Sequence, residues 1–444
     1  MSFDRLIMEG RCFVTGNGGG NLGATLVEKL IAMGADRSCV RAGEIVSVSV
    51  DRLLINDYVG DLIFSTLEEL GCKKIVAPEN VYLVIDHNVP SFSVAAADKM
   101  VRFKEKADQY GITHMTELGK HGIGHQLMVE KFVRPLEIAV GTDSHATMYA
   151  GLGAFSCGVT ASDAVSILTT GKTWIKVPET LRVRVTGKVP QGVTAKDISL
   201  CLLRIFPKEV YIYRAIEIVG ETIDEMSLEG RLVIANMMAE AGVKCAVFEA
   251  DEKSFAFAGA PVKECMKSDE DAPFVAEAEL DVSGLEPMLS CPDSVDNVRP
   301  LSRVESEHVD QVFIGSCTNG RMEDLIQAAR ILKGHRVASG TRLLVTPASQ
   351  QIALEAVKTG VMEILMNAGA TILPSSCASC AGHGPGLIGK GECCVSTTNR
   401  NFKGRMGSME SRVYLGSAYT AAACAITGEI TDPRKFLAGG EGVV

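Results

Sequence analysis

Basic charge is in short supply in this chain. Its 44 Lys and Arg are outnumbered by 54 Asp and Glu, leaving a net charge of −10 at pH 7. No basic stripe stands ready to neutralise a phosphate backbone, which argues against nucleic acid as a partner. An anionic substrate must then be held by individual arginines and not by the field of the whole protein. Long apolar runs are also missing. None reaches the ~18 residues of a membrane-spanning helix, and residues 1–11 lack the charged-then-apolar pattern of a secretory leader, so a cytoplasmic protein without membrane association is expected. The 14 cysteines form no small-domain framework. Scattered at positions such as Cys12, Cys39, Cys72, Cys157, Cys201, Cys245 and Cys265, they read as free, mostly buried thiols in a reducing compartment. The vicinal Cys393–Cys394 reads the same way, one thiol packed and the other spare. The 44 glycines follow no G-x-y period and so mark tight turns, not a fibre. There is no G-x-x-x-x-G-K-[ST] loop and no H-E-x-x-H helix.

A chain of 444 residues is long for one hydrophobic core. Changes of texture place boundaries near residues 180 and 305: an α/β unit over 1–180, a smaller α/β unit with a connector over 181–304, and a third α/β unit over 305–444. The glycine run Thr15–Gly23 resembles a dinucleotide-binding loop, but such a loop follows a buried strand, and residues 10–14 are too short and too polar to be one. The run reads as a flexible entry to a helix over 24–33.

Apolar runs at 81–85 and 136–140 read as strands, and each ends in a polar turn with an aspartate and a histidine. Asp86-His87-Asn88-Val89-Pro90 follows the first and Gly141-Thr142-Asp143-Ser144-His145 the second. Between them lies His121-Gly122-Ile123-Gly124-His125-Gln126. Four of the eight histidines thus fall in three turn-like segments, and open α/β sheets place ligands at the carboxyl ends of their strands. Asp/His pairs fix the imidazole tautomer and tune its basicity, which suits proton transfer or the orientation of a hydroxyl; zinc ligation is the alternative. Farther on, Asn236-Met237-Met238-Ala239-Glu240 sets a carboxylate four residues after an asparagine on one helical face, where Glu240 taken alone reads as a solvated residue.

In the third unit, strands over 309–314, 341–345 and 371–373 lead to Cys317, to the natural N-cap Ser349, and to Cys377-Ala378-Ser379-Cys380. That order points all of them at one edge of one sheet. Gly382, Gly384, Pro385 and Gly386 stand where a redox C-x-x-C would have an apolar helix. Soft thiolates in this pattern suit zinc, with His383 as a further ligand, or an iron–sulfur cluster with one iron left open as a Lewis acid. A polar loop over 396–407 then carries Asn399, Arg400 and Arg405, and arginine binds carboxylates bidentately.

Taken in order, DHNVP (86–90), GIGHQ (122–126), GTDSHATMYAGLGAFSCG (141–158), NMMAEAG (236–242), IGSCTNGRMEDL (314–325), CASCAGHGPGLIGKGE (377–392) and STTNRNFKGRMG (396–407) resemble the aconitase superfamily over nearly the whole chain. Within it they resemble the shorter, split large subunits of 3-isopropylmalate dehydratases. The resemblance implies an aconitase-like α/β fold of three α/β/α domains around an iron–sulfur cluster, with the swivelling domain absent and supplied by a separate small subunit. It implies one [4Fe-4S] cluster per chain, held by Cys317, Cys377 and Cys380, with one iron not ligated by protein. Asp86, His87, His125, Asp143, His145 and Glu240 would handle proton delivery and hydroxyl departure, and Gln126, Ser144, Asn399, Arg400 and Arg405 would hold the substrate. The serine base that takes the carbon-bound proton would sit on the small subunit, leaving this chain inactive alone.

The implied reaction is a reversible dehydration of a small 2-hydroxy di- or tricarboxylate, 3-isopropylmalate first among them. Departures from the family pattern bring 2,3-dimethylmalate, 2-methylmalate, malate or maleate, and homocitrate into range. They are Ser376 before Cys377, Ala378–Ser379 between the cysteines, Asp163 in place of a glutamate, residues 204–213 in place of a glycine-rich turn, and Ser417–Thr420 in place of Ser-Pro-Ala-Thr. A zinc hydrolase and an RNA-binding scaffold are the readings from other classes.

Overall fold

The computed structural model describes residues 13–14 and 23–437; positions 15–22 of the glycine run lie outside the described residues. Three larger sheets and a two-stranded ribbon organise the described chain. The first sheet runs in the order 114–115, 81–84, 52–56, 138–141, 155–158, with every pair parallel. Its strands Val81–Val84 and Ile138–Gly141 are buried at every residue, as expected where helices cover both faces of a parallel sheet. The helix Val94–Tyr110 is capped by Ser93, whose side chain accepts from Ala96 N, and stopped by Gly111 at φ 70°, a left-handed position that glycine takes without penalty. The strand Phe155–Gly158 has no signature in the sequence, because Phe-Ser-Cys-Gly is too short and too mixed to show a strand period.

The second sheet, ordered 13–14, 274–281, 180–186, 215–219, 245–247, packs helices Ala195–Leu202 and Leu228–Met238 against it. Phe13 and Val14, read as too short for a strand, pair antiparallel with Ala276 and Glu277 at its edge. Strand Phe274–Asp281 alternates buried and more exposed residues along its length, a period-2 pattern hidden in the sequence behind a charged stretch.

The third sheet is ordered 298–300, 288–290, 412–415, 393–396, 311–314, 342–345, 371–372. Its two outer strands form a hairpin inside the segment read as a connector, so that segment is structural. Cys393 and Cys394 are both fully buried. Successive residues of this central strand face opposite sides, both covered, and neither thiol is spare. Small residues along helix Ala418–Thr427 let it lie close to helix Met322–Leu332. One apolar cluster runs from Leu54 and Val84 through Leu232 to Leu325 and Ala421 and joins the first and third sheets, while the second sheet has its own cluster around Val183, Ile216 and Leu280, which reaches Met288 and Val298 of the third. Among the described residues no helix is long and apolar enough to cross a membrane.

The carboxyl ends of the first and third sheets meet. Cys377 N donates to Asp86 O at 2.8 Å, Ile123 N to Ala348 O at 2.9 Å, and Gly122 bridges to Ser349. Gly124 N reaches Asp86 Oδ2 at 2.7 Å, and a Cβ there would lie 2.7 Å from Val84 Cγ1, so only glycine permits this approach.

Candidate active site and metal centre

Asp143 caps the 3-10 turn Ser144–Leu152 that follows the strand Ile138–Gly141. Its Oδ1 accepts from His145 N at 2.8 Å and lies 3.1 Å from His145 Nδ1 and 3.0 Å from His125 Nε2. With Nε2–H of His125 given to the carboxylate, its Nδ1 is left to accept the Tyr149 hydroxyl at 2.9 Å. His145 Nε2 meets Glu240 Oε1 at 2.8 Å, the same oxygen receives Arg400 Nε at 2.8 Å, and Arg400 Nη2 donates to Ser144 Oγ at 2.8 Å. A continuous chain thus runs Tyr149–His125–Asp143–His145–Glu240–Arg400. Burial opposes charge on Asp143, yet its bonds to His125 and His145 hold the carboxyl well below its usual range. Burial likewise disfavours the imidazolium of His145, and its bonds to Asp143 and Glu240 outweigh that and raise its pKa. Glu240 is held below its usual value against burial by His145 and Arg400, so it is not the solvated residue that sequence alone suggests.

A second imidazole stands at the end of strand Val81–Val84. His87 Nδ1 lies 2.7 Å from Asp86 Oδ1 and 3.2 Å from Asp57 Oδ1. Burial works against its charge, but the two carboxylates raise its pKa well above 6.5. No hydrogen bond to Nε2 of His87 forms among the described residues.

The three cysteines gather beside these groups. Cys317 and Cys380 are buried and Cys377 is half-buried. Two amides converge on Cys317 Sγ, Asn236 Nδ2 at 3.2 Å and Asn399 Nδ2 at 3.4 Å, while Asn399 Oδ1 lies 3.7 Å from Cys380 Sγ. Cys377 Sγ is 3.7 Å from Asp86 Oδ2. Burial pushes Cys317 up to about 12 and Cys377 well above its usual value, so these thiols ionise on binding metal and not before. One zinc, at a Zn–S distance of ~2.3 Å, would draw three sulfurs to within about 4 Å of one another. Among the described residues, the sets whose ligand atoms lie within 4.8 Å of one another are Asp86–His87–Cys377 and His125–Asp143–His145, and the three cysteines do not form such a set. The wider spacing, the soft donors and the amide N–H groups aimed at sulfur fit a partly protein-ligated iron–sulfur cluster.

Asp86, His87, His125, Asp143, Ser144, His145, Glu240, Asn399, Arg400, Cys317, Cys377 and Cys380 are thereby joined in one region. Gln126 is not joined to it: its amide donates to Glu130 Oε1 at 3.0 Å, an oxygen that also accepts Ser349 Oγ. Arg405 stands at the margin, with its guanidinium 5.6 Å from the Phe402 ring and a buried Nε that has no hydrogen-bond partner among the described residues. His121 is half-exposed and outside the network. His383, weighed as a zinc ligand, stacks on His87 with ring centroids 5.6 Å apart. Asp163 caps helix Ala161–Thr170 in a box with Thr160. Sequence reasoning misses Asp57 and Tyr149. Asp57 has a signal, since like Asp86 it ends an apolar strand, Arg52–Asn56; Tyr149 has none apart from being an aromatic with a hydroxyl inside a buried turn.

An acid–base chain set beside three gathered cysteines on an α/β scaffold suits metal-assisted activation of a hydroxyl. Residues 28–428 match the model of the aconitase family (aconitate hydratase), and the chain belongs to this family of hydro-lyases. It is 42% identical over 424 residues to the 3-isopropylmalate dehydratase large subunit 1 of Methanopyrus kandleri, covering 94% of this chain and 100% of that one. It is 44% identical over 418 residues to the 3-isopropylmalate dehydratase large subunit 1 of Archaeoglobus fulgidus, covering 93% and 99%. The solved structure of Thermococcus kodakaraensis aconitase X in its holo-form covers 84% of this chain and 89% of that one at a TM-score of 0.47 and 13% identity, which adds nothing to the family match.

Proposed function

We propose that this chain is the catalytic large subunit of a cytoplasmic 3-isopropylmalate dehydratase, interconverting 2-isopropylmalate and 3-isopropylmalate by loss and return of water. It works with a small subunit that carries the swivelling domain and the serine base. The observation that carries the reading is a dipeptide: Asn399 bonds Cys317 Sγ while the next residue, Arg400, bonds Glu240, so metal centre and acid–base chain are held by adjacent residues. Relatives named as large subunits, matched end to end, support the partner and the substrate, and free thiols throughout the described chain support a reducing compartment.

Cys317, Cys377 and Cys380 would hold a [4Fe-4S] cluster, which would supply a Lewis acid for the substrate's oxygens. The residues of the chain do the remainder. His87, kept cationic through Nδ1 by Asp86 and Asp57, presents Nε2–H as the acid that lets hydroxide leave as water. Asp143 keeps protons on His125 Nε2 and His145 Nδ1 and fixes both rings. Arg400, with Ser144 and Arg405, receives carboxylate, and a fixed guanidinium there stabilises the charge that grows as the carbon-bound proton leaves.

The test is an anaerobic substrate panel on the reconstituted large–small pair. 2-Isopropylmalate and 3-isopropylmalate should give the highest kcat/KM. Preference for 2,3-dimethylmalate, 2-methylmalate, malate, maleate or homocitrate would overturn the substrate assignment and leave the reaction class standing.

A further inference from the structure

One buried lysine from another part of the chain touches the sequence neighbours of both asparagines that donate to Cys317. Lys196 lies in the first turn of helix Ala195–Leu202, which Thr194 and Asp197 cap, and its side chain is fully buried. Nζ donates to Thr398 O at 2.6 Å and Thr397 O at 3.0 Å and lies 3.3 Å from Met237 Sδ. Thr397 and Thr398 lead directly into Asn399 and Arg400, and Met237 follows Asn236, the second donor to Cys317 Sγ. Among the described residues no carboxylate oxygen stands within 4.0 Å of this ammonium. A buried ammonium without a paired anion is costly. Burial presses its pKa down to about 7, while Asp324, Cys380, Cys317 and Asp197 act on it electrostatically from farther off and oppose that. Two of those four groups are cysteines of the metal centre, which become thiolates when metal binds.

We propose that Lys196 is a positioning residue for the cluster: it pins the Thr397 and Thr398 carbonyls so that Asn399 faces the sulfurs and Arg400 the acid–base chain, and its charge is offset by the thiolate-bound cluster. The proposal rests on the reading of Cys317, Cys377 and Cys380 as cluster ligands. Conversely, the thiolates of a bound cluster favour the protonated lysine, which then places a positive charge near the cluster, and net charge is one of the factors that set a cluster's potential.

Lys196→Met keeps the length of the side chain and removes the charge and both donors. In the anaerobically reconstituted pair the midpoint potential of the cluster should move to a more negative value, because a lost positive charge disfavours the reduced form. KM should rise, with kcat/KM falling at least about tenfold, since Arg400 is no longer held in place. Lys196→Arg, which keeps charge and donors, should return the potential toward that of the wild type. An unchanged potential in folded, cluster-bearing Lys196→Met overturns the proposal. So does failure of both variants to fold, which would make the lysine structural only. A wild-type pair that takes up no cluster would overturn the cluster reading itself, a result distinct from either.

Discussion

Arg400 Nε lies 2.8 Å from Glu240 Oε1, although 160 residues separate the two in the chain. His145 bonds the same oxygen, so the charge of the Glu240 carboxylate lies between the Arg400 guanidinium and the His145 ring. Glu240→Gln keeps the shape and removes that charge. In that variant kcat should fall by roughly 10² to 10⁴-fold, the range for a lost acid–base group, with the chain still folded by circular dichroism. Activity within a few-fold of wild type would take Glu240 out of the mechanism.

The charge on His87 is set by two carboxylates, one of them Asp57. Asp57→Asn withdraws an anion, so the His87 pKa must fall and the alkaline limb of the kcat/KM profile must move to lower pH. The linkage has a definite sign. His87 binds its proton more tightly folded than unfolded, so its contribution to stability is complete below about pH 6.5. That contribution is lost as pH rises through the raised folded value. Melting curves of Asp57→Asn against wild type should therefore differ most between about pH 4 and 6.5, where Asp57 is ionised and the His87 contribution is complete, and converge in alkali. An alkaline limb that stays in place would assign it to another group.

Asn236 and Asn399 each direct an N–H to Cys317 Sγ, and such bonds tune and protect sulfur ligands. Asn399→Ala should leave the iron content after anaerobic reconstitution close to wild type and speed the loss of visible absorbance in air. Cys317→Ser should bind little iron from the start. Equal air sensitivity of Asn399→Ala and wild type would remove the asparagine from the sulfur environment.

Leu289 lies on the first strand of the 288–300 hairpin and is fully buried in the largest apolar cluster. Leu289→Ala should cost about 2 to 5 kcal/mol, read from denaturant unfolding. A loss under about 1 kcal/mol would return this segment to the role of a connector.

That hairpin shows where the sequence stops being legible. Asp86, Asp143 and Cys317 can be found because each follows a short apolar strand, and a parallel sheet buried on both faces writes its strands as continuous apolar runs. The fold class follows from the same runs. Strands 288–290 and 298–300 sit among Pro, Asp and Ser residues, and only their pairing with each other and with Leu415 makes them strands. Glu240 reads as solvated because its partners, His145 and Arg400, are 95 and 160 residues away. Asp57 is missed because the histidine it serves lies 30 residues on. Lys196 is missed because a lysine near a helix start ordinarily faces water, and nothing local reveals the carbonyls of Thr397 and Thr398 above it.

The metal content of the chain decides whether it holds a cluster. After anaerobic reconstitution with iron and sulfide, and with the small subunit present, about four iron and four sulfide per large subunit are expected, with a broad visible absorbance lost on oxidation, and none of these in the Cys317→Ser, Cys377→Ser, Cys380→Ser triple variant. Stoichiometric zinc without iron in the active pair would contradict it.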